Sequence, residues 1–500
     1  MIDNSIIATV LVHLFTALLQ LTFWRKTVTH RVLSVVGSLI GLGFAFALFT
    51  KVFNGGILTM NAGNWEAPFG IVFVADLLSS TFVLLTAIAA LAVSIFSATG
   101  VGRARMLYGF FPIFHFLIMG LNGAFLTGDI FNLYVWFEVI IISSFVLLTL
   151  GGRKAQLEGA VKYMALNILA STFFLTGIGI LYGITGTLNM ANLSQKILLV
   201  EDQSIVNLTA MFFLIGFGIK SAVFPLYFWL PSSYHTPPSA VAAVFGGLLT
   251  KVGIYALFRV FTLIFIPNEF IKIVFMGIGV MTILTGVFGA LIKDNIRRLF
   301  SYLIVCHLGY VIGGLGIYTK IAFVGAVFYL IHDIIVKTNL FLITGLIRQL
   351  RGSMNLSKLG GIYAQYPKLS ILMAIVLFSL VGIPPLSGFW PKIYLIQAAY
   401  ENGNYLYILG IIVGSFITLY LMAKIWSEVF WKDASRETFI EDKFELLSRY
   451  KKVLLVLPIG LLVFTSLYIG LNAEMIIQVA DRIAEEMVDT SFYIEAVLGK

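Results

Sequence analysis

The sequence predicts an all-α polytopic membrane protein of about 14 transmembrane helices, and three observations carry that expectation. Of 500 residues, 59% are hydrophobic and only 11% charged, with 44 Phe; soluble proteins carry about 25% charged residues. Runs of about 20 apolar residues, each long enough to cross a hydrocarbon core of about 30 Å, recur along the whole chain. Lysine and arginine then collect in alternate loops between those runs, which is what membrane orientation requires.

In chain order, the run near 4–23 has no basic lead-in and no small-residue cleavage pattern, so it reads as a retained helix rather than a signal peptide. Runs near 32–50 and 73–97 follow, and the stretch 51–70 between them reads as an ordered external loop with a hairpin around Asn61 to Trp65. Three more lie near 107–126, 130–150 and 159–185. The seventh, near 206–230, contains Lys220 and then Pro225, which cannot donate a backbone hydrogen bond and so breaks the helix beside the charge. Proline-free runs follow near 239–264, 270–292, 299–317 and 321–347. The twelfth, near 368–400, is broken again at Pro384 and Pro385, where VGIPPLSGFWPK echoes GIKSAVFPLYFWLP. Runs near 404–431 and 453–471 complete the fourteen, and about thirty residues with an acidic, helix-compatible pattern end the chain.

The two breaks are five spans apart. Five is odd, so consecutive five-helix copies insert with opposite topology, as in the inverted repeats of many transporters. The expected organisation is a three-helix segment (1–105), two five-helix repeats (106–264 and 265–432, helices 4–8 and 9–13), and a loop, last helix and acidic tail (433–500). Assigning loops alternately to two sides places 21 Lys and Arg on one side and 6 on the other. The positive-inside rule puts the first set in the cytoplasm and both termini outside it.

Six basic residues remain inside spans: Lys220, Lys251, Arg259, Lys337, Lys392 and Lys424. Arg259 and Lys424 lie near helix ends, where a long side chain can snorkel to the interface. The other four are deep, and a charge there costs at least about 2.5 to 3.5 kcal/mol, so it faces a partner or a wet path rather than lipid. Glu138, about eight residues into its span, reads as the deepest carboxylate. It is either half of a structural ion pair with one of the lysines or a group that tunes lysine protonation. His13, His30 and His115 read as packing residues. His235, His307 and His332 lie in or beside segments that carry a deep charge, and histidine passes protons near neutral pH. The string Glu138, Lys220, Lys251, His332, Lys337 and Lys392, with His235, His307 and Asp333 as accessories, suits proton transfer through water. It is a poor cage for a bare hard cation, which prefers oxygen ligands.

Other classes are excluded. The net charge of +9 sits in short loops and does not point to nucleic acid. Cys306 is the only cysteine, so the chain builds no disulfide, cysteine metal cage or iron–sulfur site. No phosphate-binding glycine fingerprint follows a strand, so neither a cofactor nor enzymatic chemistry within this chain is expected.

The run EV in the fifth span, GIKSAVFPLYFWLPSSYHTPPSAVAA leading into LLTKVGIYALFR, SYLIVCHLGYV and GIPPLSGFWPK resemble the antiporter-like subunits shared by proton-pumping NADH dehydrogenase and the multisubunit Mrp-type sodium/proton antiporters. The resemblance spans roughly residues 70–430. WEAPFGIVFVADLLS and HDIIVKTNLF are similar to D-type subunits of the Mrp branch, and the length fits them better than the much longer A-type. The resemblance implies that Glu138 is the helix-five glutamate, Lys220 its helix-seven partner, Lys251 the helix-eight lysine and Lys392 the terminal group of helix twelve. One NADH dehydrogenase relative has glutamate at that last position. Respiratory relatives have a histidine four residues before the helix-eleven lysine; here Asp333 stands there and His332 is assigned the role. Also implied are a bacterial cell membrane, other hydrophobic subunits as partners, and protons and sodium as the ions moved. Two other readings stay open: a membrane-arm proton-pumping subunit of an NADH dehydrogenase or membrane-bound hydrogenase, and a scaffold whose buried charges only hold helices together.

Overall fold

The computed structural model of the chain describes residue 3, residues 5–433 and residues 442–499. Arg436 and Lys500, used in the orientation count, lie outside the described residues, as does part of the 433–500 segment. Within them, each of the fourteen apolar runs coincides with a helix or with a broken pair of helices. Eleven helices are long and apolar enough to cross a membrane, and three shorter apolar ones accompany them.

The chain opens with α1 (Ala8–Thr22) and α2 (Thr27–Gly55), which runs a turn beyond the expected end of its span. The hairpin that follows is wider than its sequence suggests. Strands β1 (Leu58–Asn61) and β2 (Val72–Ala75) pair antiparallel with Leu58 opposite Ala75, and residues 62–71 form the connection. Asp76 starts α3 (Leu77–Gly100) with a capping box: its carboxylate accepts from the Ser79 amide at 2.8 Å, and Ser79 Oγ accepts from the Asp76 amide at 3.0 Å. The short α4 (Arg103–Leu107) precedes α5 (Phe110–Leu126), α6 (Ile130–Thr149), α7 (Lys154–Thr185) and α8 (Met190–Lys196).

The first break separates α9 (Gln203–Lys220) from α10 (Trp229–Ser233). Next, α11 (Ser239–Val244) passes through a π turn at Phe245–Leu249 into α12 (Thr250–Leu263). Helices α13 (Glu269–Leu291), α14 (Ile296–Ile317) and α15 (Lys320–Arg351) follow, then the short α16 (Ile362–Gln365). The second break separates α17 (Pro367–Val381) from α18 (Phe389–Glu401), and α19 (Tyr405–Ile425) and α20 (Arg449–Leu471) complete the apolar set.

Burial shows where the centre lies. In the apolar windows of α3, Ser239–Leu263, α14 and α15, 83–100% of residues are buried, against 33–39% in α2, α7 and α19. Helix α15 has 32 residues, about 48 Å at 1.5 Å per residue, and carries His332, Asp333 and Lys337 through the most enclosed part of the bundle. Its neighbour α14 lies against α13 almost backbone to backbone. A side chain at Gly286 would collide with the Cys306 backbone, so only glycine permits that approach.

The acidic tail is folded onto this chain as α21 (Ala473–Val488) and α22 (Ser491–Leu498). Val479, Ala480, Ile483, Ala484 and Met487 recur at helical spacing and form the buried face of α21. Lys320 at the start of α15 pairs with Asp481 at 3.0 Å and Glu485 at 2.8 Å, and the Leu77 amide at the start of α3 donates to Glu486 at 3.3 Å.

Candidate proton path

At the first break, Pro225 and the irregular residues around it leave helical backbone groups without their usual partners, and side chains supply replacements. The Trp229 indole N–H donates to the Ile219 carbonyl at 2.9 Å, and the Phe224 amide donates to Thr282 Oγ1 at 2.9 Å. Lys220, the last residue of α9, is buried; its Nζ donates to Ser171 Oγ at 3.3 Å and lies 4.6 Å from the centre of the Phe137 ring. Ser171 in turn donates to Glu138 at 2.5 Å. The lysine and the carboxylate are therefore joined through a hydroxyl and not directly. Glu138 is also only half-buried and less enclosed than Asp333. Counting residues along a helix gives depth but not facing, and Glu138 faces α7. Beside Lys220, a void of about 10 Å³ is lined by Tyr163, Asn167 and Tyr234, at the lower limit for holding one water.

The π turn of Phe245–Leu249 sets up the second group. A wider turn releases carbonyls from the regular ladder, and the Gly246 carbonyl accepts from Lys251 Nζ at 2.8 Å. Gly247 lets the turn press against α15, where an added Cβ would lie 3.3 Å from the Ile334 carbonyl oxygen. Lys251 thereby meets Asp333 at 2.7 Å, and the other carboxylate oxygen lies 3.3 Å from His307 Nδ1. All three side chains are buried, so Asp333 is the most enclosed carboxylate of this set. One turn further along α15, Lys337 is fully buried and its Nζ has no hydrogen-bond partner among the described residues.

The second break holds the third group. Helix α17 ends at Val381 with Gly382 in the left-handed region (φ 85°), a conformation that favours glycine. Lys392 Nζ reaches back to the Val381 carbonyl at 2.7 Å and lies 5.4 Å from the Tyr310 ring centre. The two breaks are thus not superimposable in their chemistry: Lys220 precedes its proline, whereas Lys392 follows Pro384 and Pro385. His332 Nδ1 bonds Ser387 Oγ at 2.8 Å, and Ser379, Ser387 and Ser466 form a closed triangle of hydroxyls at 2.8–3.0 Å.

Consecutive residues on a helix point about 100° apart, so His332 belongs to the Lys392 break while Asp333 belongs to Lys251. The imidazole nearest the helix-eleven carboxylate is that of His307, not His332. Among the described residues His235 makes no hydrogen bond to a lysine; its Nδ1 bonds the Pro231 carbonyl at 2.8 Å within its own turn. Arg259 does not snorkel. It is buried in an ion pair with Asp76 and hydrogen-bonds Tyr255 Oη at 3.2 Å, whereas Lys424 is half-buried. Ser171, Ser387, Tyr310 and Asp76 do not stand out in the sequence. Hydroxyls and aromatics are too common in apolar helices to be conspicuous, and Asp76 looks like an ordinary helix cap.

Together these groups form separate clusters of buried proton donors and acceptors, with two lysines held tightly and two loosely. Comparison with known proteins agrees with this architecture. Residues 127–418 match the family model described as NADH:quinone oxidoreductase/Mrp antiporter, transmembrane. The chain is similar to the D-type subunit of the Na(+)/H(+) antiporter of Alkalihalophilus pseudofirmus, 41% identical over 500 residues and covering 99% of both chains. It is likewise similar to the corresponding Na(+)/H(+) antiporter chain of Bacillus subtilis, at 39% identity and 99% of both chains. Among solved structures it is similar to a chain of the Mrp complex from Dietzia, with a TM-score of 0.91, 28% identity and 99% of both chains covered. A chain of an archaeal membrane-bound sulfane sulfur reductase shares the fold, with a TM-score of 0.90 at 24% identity and coverage of 99% and 100%.

Proposed function

This chain belongs to the NADH:quinone oxidoreductase/Mrp antiporter family, and we propose that it is the D-type, proton-conducting subunit of a multisubunit Na+/H+ antiporter. It is a secondary transporter subunit that works with other hydrophobic subunits in the membrane. The observation that carries the reading is a series of buried titratable groups on the most enclosed helices: Lys220 linked through Ser171 to Glu138, Lys251 with Asp333 and His307, Lys337 alone, and Lys392 with the His332 hydroxyl network.

Protonation changes at Lys220 alter its attraction to Glu138, and the proton passes by Lys251 and the His332/Lys337 region to Lys392. The membrane potential drives such movement at about 2.3 kcal/mol per charge per 100 mV. The charge bias of the loops supports a placement with both termini outside the cytoplasm. The paired proline breaks support two inverted five-helix units, residues 106–264 and 265–432.

The test is cation-dependent pH change in everted vesicles from an antiporter-deficient host carrying the whole operon, with and without Glu138→Ala. Sodium-dependent activity that vanishes in the variant while the complex still assembles is the expected result. Normal antiport by the Glu138→Ala complex would sink the path. Proton pumping linked to NADH or hydrogen, without a sodium response, would move the chain to the respiratory reading.

A further inference from the structure

Away from the lysine path, at the end of the bundle that the charge bias assigns to the cytoplasm, four arginines converge on one cavity. It measures about 180 Å³ and is lined by Arg105, Arg153, Arg297 and Arg348 together with Thr236, Ser239 and Gln349. Among the described residues no carboxylate lines it and none of the four arginines is in an ion pair.

Arg297 makes the case. It is only 4% exposed. Its Nε donates to Thr344 Oγ1 at 3.2 Å, its Nη1 to the Pro237 carbonyl at 2.9 Å and its Nη2 to Ser239 Oγ, and all three acceptors are neutral. Among the described residues two of its five N–H donors find no acceptor, and a guanidinium does not relieve burial by losing its proton. A buried charge without a counter-charge is costly, far more so than a buried neutral polar group. Arg105 is in a similar position: its Nε donates to the neutral Leu150 carbonyl at 3.0 Å, and partial burial with the nearby Arg153 and Arg348 charges pushes its pKa down.

We propose that this cavity is an oxyanion site that takes a phosphate group, supplied either by inorganic phosphate or by the headgroup of a phospholipid. Planar guanidinium forks match the oxygens of phosphate in pairs, and arginine is the residue suited to that geometry. The volume corresponds to roughly six waters at about 30 Å³ each, ample for one tetrahedral oxyanion. An anion here supplies the counter-charge that Arg297 lacks, whichever ion the complex transports.

The test uses the assembled, detergent-purified complex. Its thermal unfolding is followed while phosphate is exchanged for chloride at constant ionic strength, and co-purifying phospholipid is counted by native mass spectrometry. Wild type is compared with the Arg153→Gln/Arg348→Gln double variant, in which both altered side chains are exposed and the Arg297 bonds are kept. A saturable rise in Tm with phosphate, whose midpoint weakens by about tenfold or more in the variant, identifies free phosphate as the ligand; tenfold corresponds to losing about one charged hydrogen bond. A Tm indifferent to phosphate, with phospholipid lost in the variant, identifies the headgroup. Identical responses to phosphate and chloride, with an unchanged lipid count, overturn the proposal, as does a carboxylate from a neighbouring protein of the complex found filling the cavity.

Discussion

Lys220 and Lys251 are the same residue type, both buried, yet they are held in opposite ways. Lys251 sits against Asp333 at 2.7 Å, has a freed backbone carbonyl at 2.8 Å, and shares its carboxylate with His307. Lys220 has one hydroxyl at 3.3 Å, an aromatic face, and a half-buried glutamate one atom further away. In the proposed path the first arrangement fixes a charge and the second lets it change. A proton path needs both, because a permanently charged neighbour sets the potential against which a loosely held lysine takes up or releases its proton.

Asp333→Asn attacks the tight end and carries the largest expected effect. It leaves Lys251 buried without its counter-charge, and breaking a buried pair by removing one partner costs about 3 to 5 kcal/mol. The complex is expected to melt far lower or fail to accumulate. The double change Lys251→Met with Asp333→Leu removes both charges and recovers most of that stability, without recovering antiport. Equal melting of Asp333→Asn and wild type would show that the pair is not the rigid element of this comparison.

Lys337 sharpens the contrast, since its ammonium is fully buried with no partner among the described residues. An unsatisfied buried neutral group already costs about 1 to 3 kcal/mol and a charged one more, so Lys337→Met is expected to leave stability unchanged or raise it while sodium-dependent antiport falls. A lysine kept only to hold helices together would behave the other way, with stability falling and transport surviving in whatever complex assembles.

Much of the fold is legible in the sequence, for reasons specific to membranes. A lipid-spanning helix must be apolar over about 20 residues, so helices announce themselves by length, and Lys220, Lys251, Lys337 and Lys392 stand out because charge is rare among such residues. Which groups meet is less legible. The sequence brings Glu138 and Lys220 into one neighbourhood, but the hydroxyl between them belongs to Ser171 on a third helix, and the apolar pattern does not reveal which face of that helix turns inward. The π turn that swings Lys251 onto Asp333 has no proline to mark it, so the sequence pattern places Asp333 below Glu138 in importance. Arg259 looks able to snorkel from its place near a helix end, whereas its partner Asp76 lies 183 residues earlier, beyond any local pattern.

At the loose end, Ser171→Ala removes the link between Lys220 and Glu138. The stability cost is that of one ordinary hydrogen bond, about 1 kcal/mol, and antiport in everted vesicles is expected to slow by about tenfold if that bond sets the lysine's protonation, since tenfold corresponds to about 1.4 kcal/mol. Ser171→Thr keeps the hydroxyl and retains most activity. Unchanged antiport in Ser171→Ala would mean that the ammonium and carboxylate communicate through water alone.

The smallest expected effect lies outside the spans, where α21 repeats the comparison with carboxylates. Asp76 is paired with the Arg259 guanidinium, while among the described residues Glu486 beside it accepts only the Leu77 amide at 3.3 Å. Burial, together with the Asp76 charge, raises the Glu486 pKa to about 7, and the Leu77 amide, Arg259 and Arg482 pull the other way without cancelling the rise. Released from the fold, the same glutamate titrates near about 4.3. The folded state therefore binds more protons between those values, so docking of α21 is strongest below the free-glutamate pKa and weakens as pH climbs through about 7. Hydrogen exchange in α21, corrected for the intrinsic pH dependence of the chemistry, is expected to quicken between about pH 4.3 and about pH 7 in wild type and to level off above that. In Glu486→Gln, which cannot ionise, it should stay flat. The same pH dependence in both proteins would place the titrating group elsewhere and leave Glu486 as a plain helix-to-helix contact.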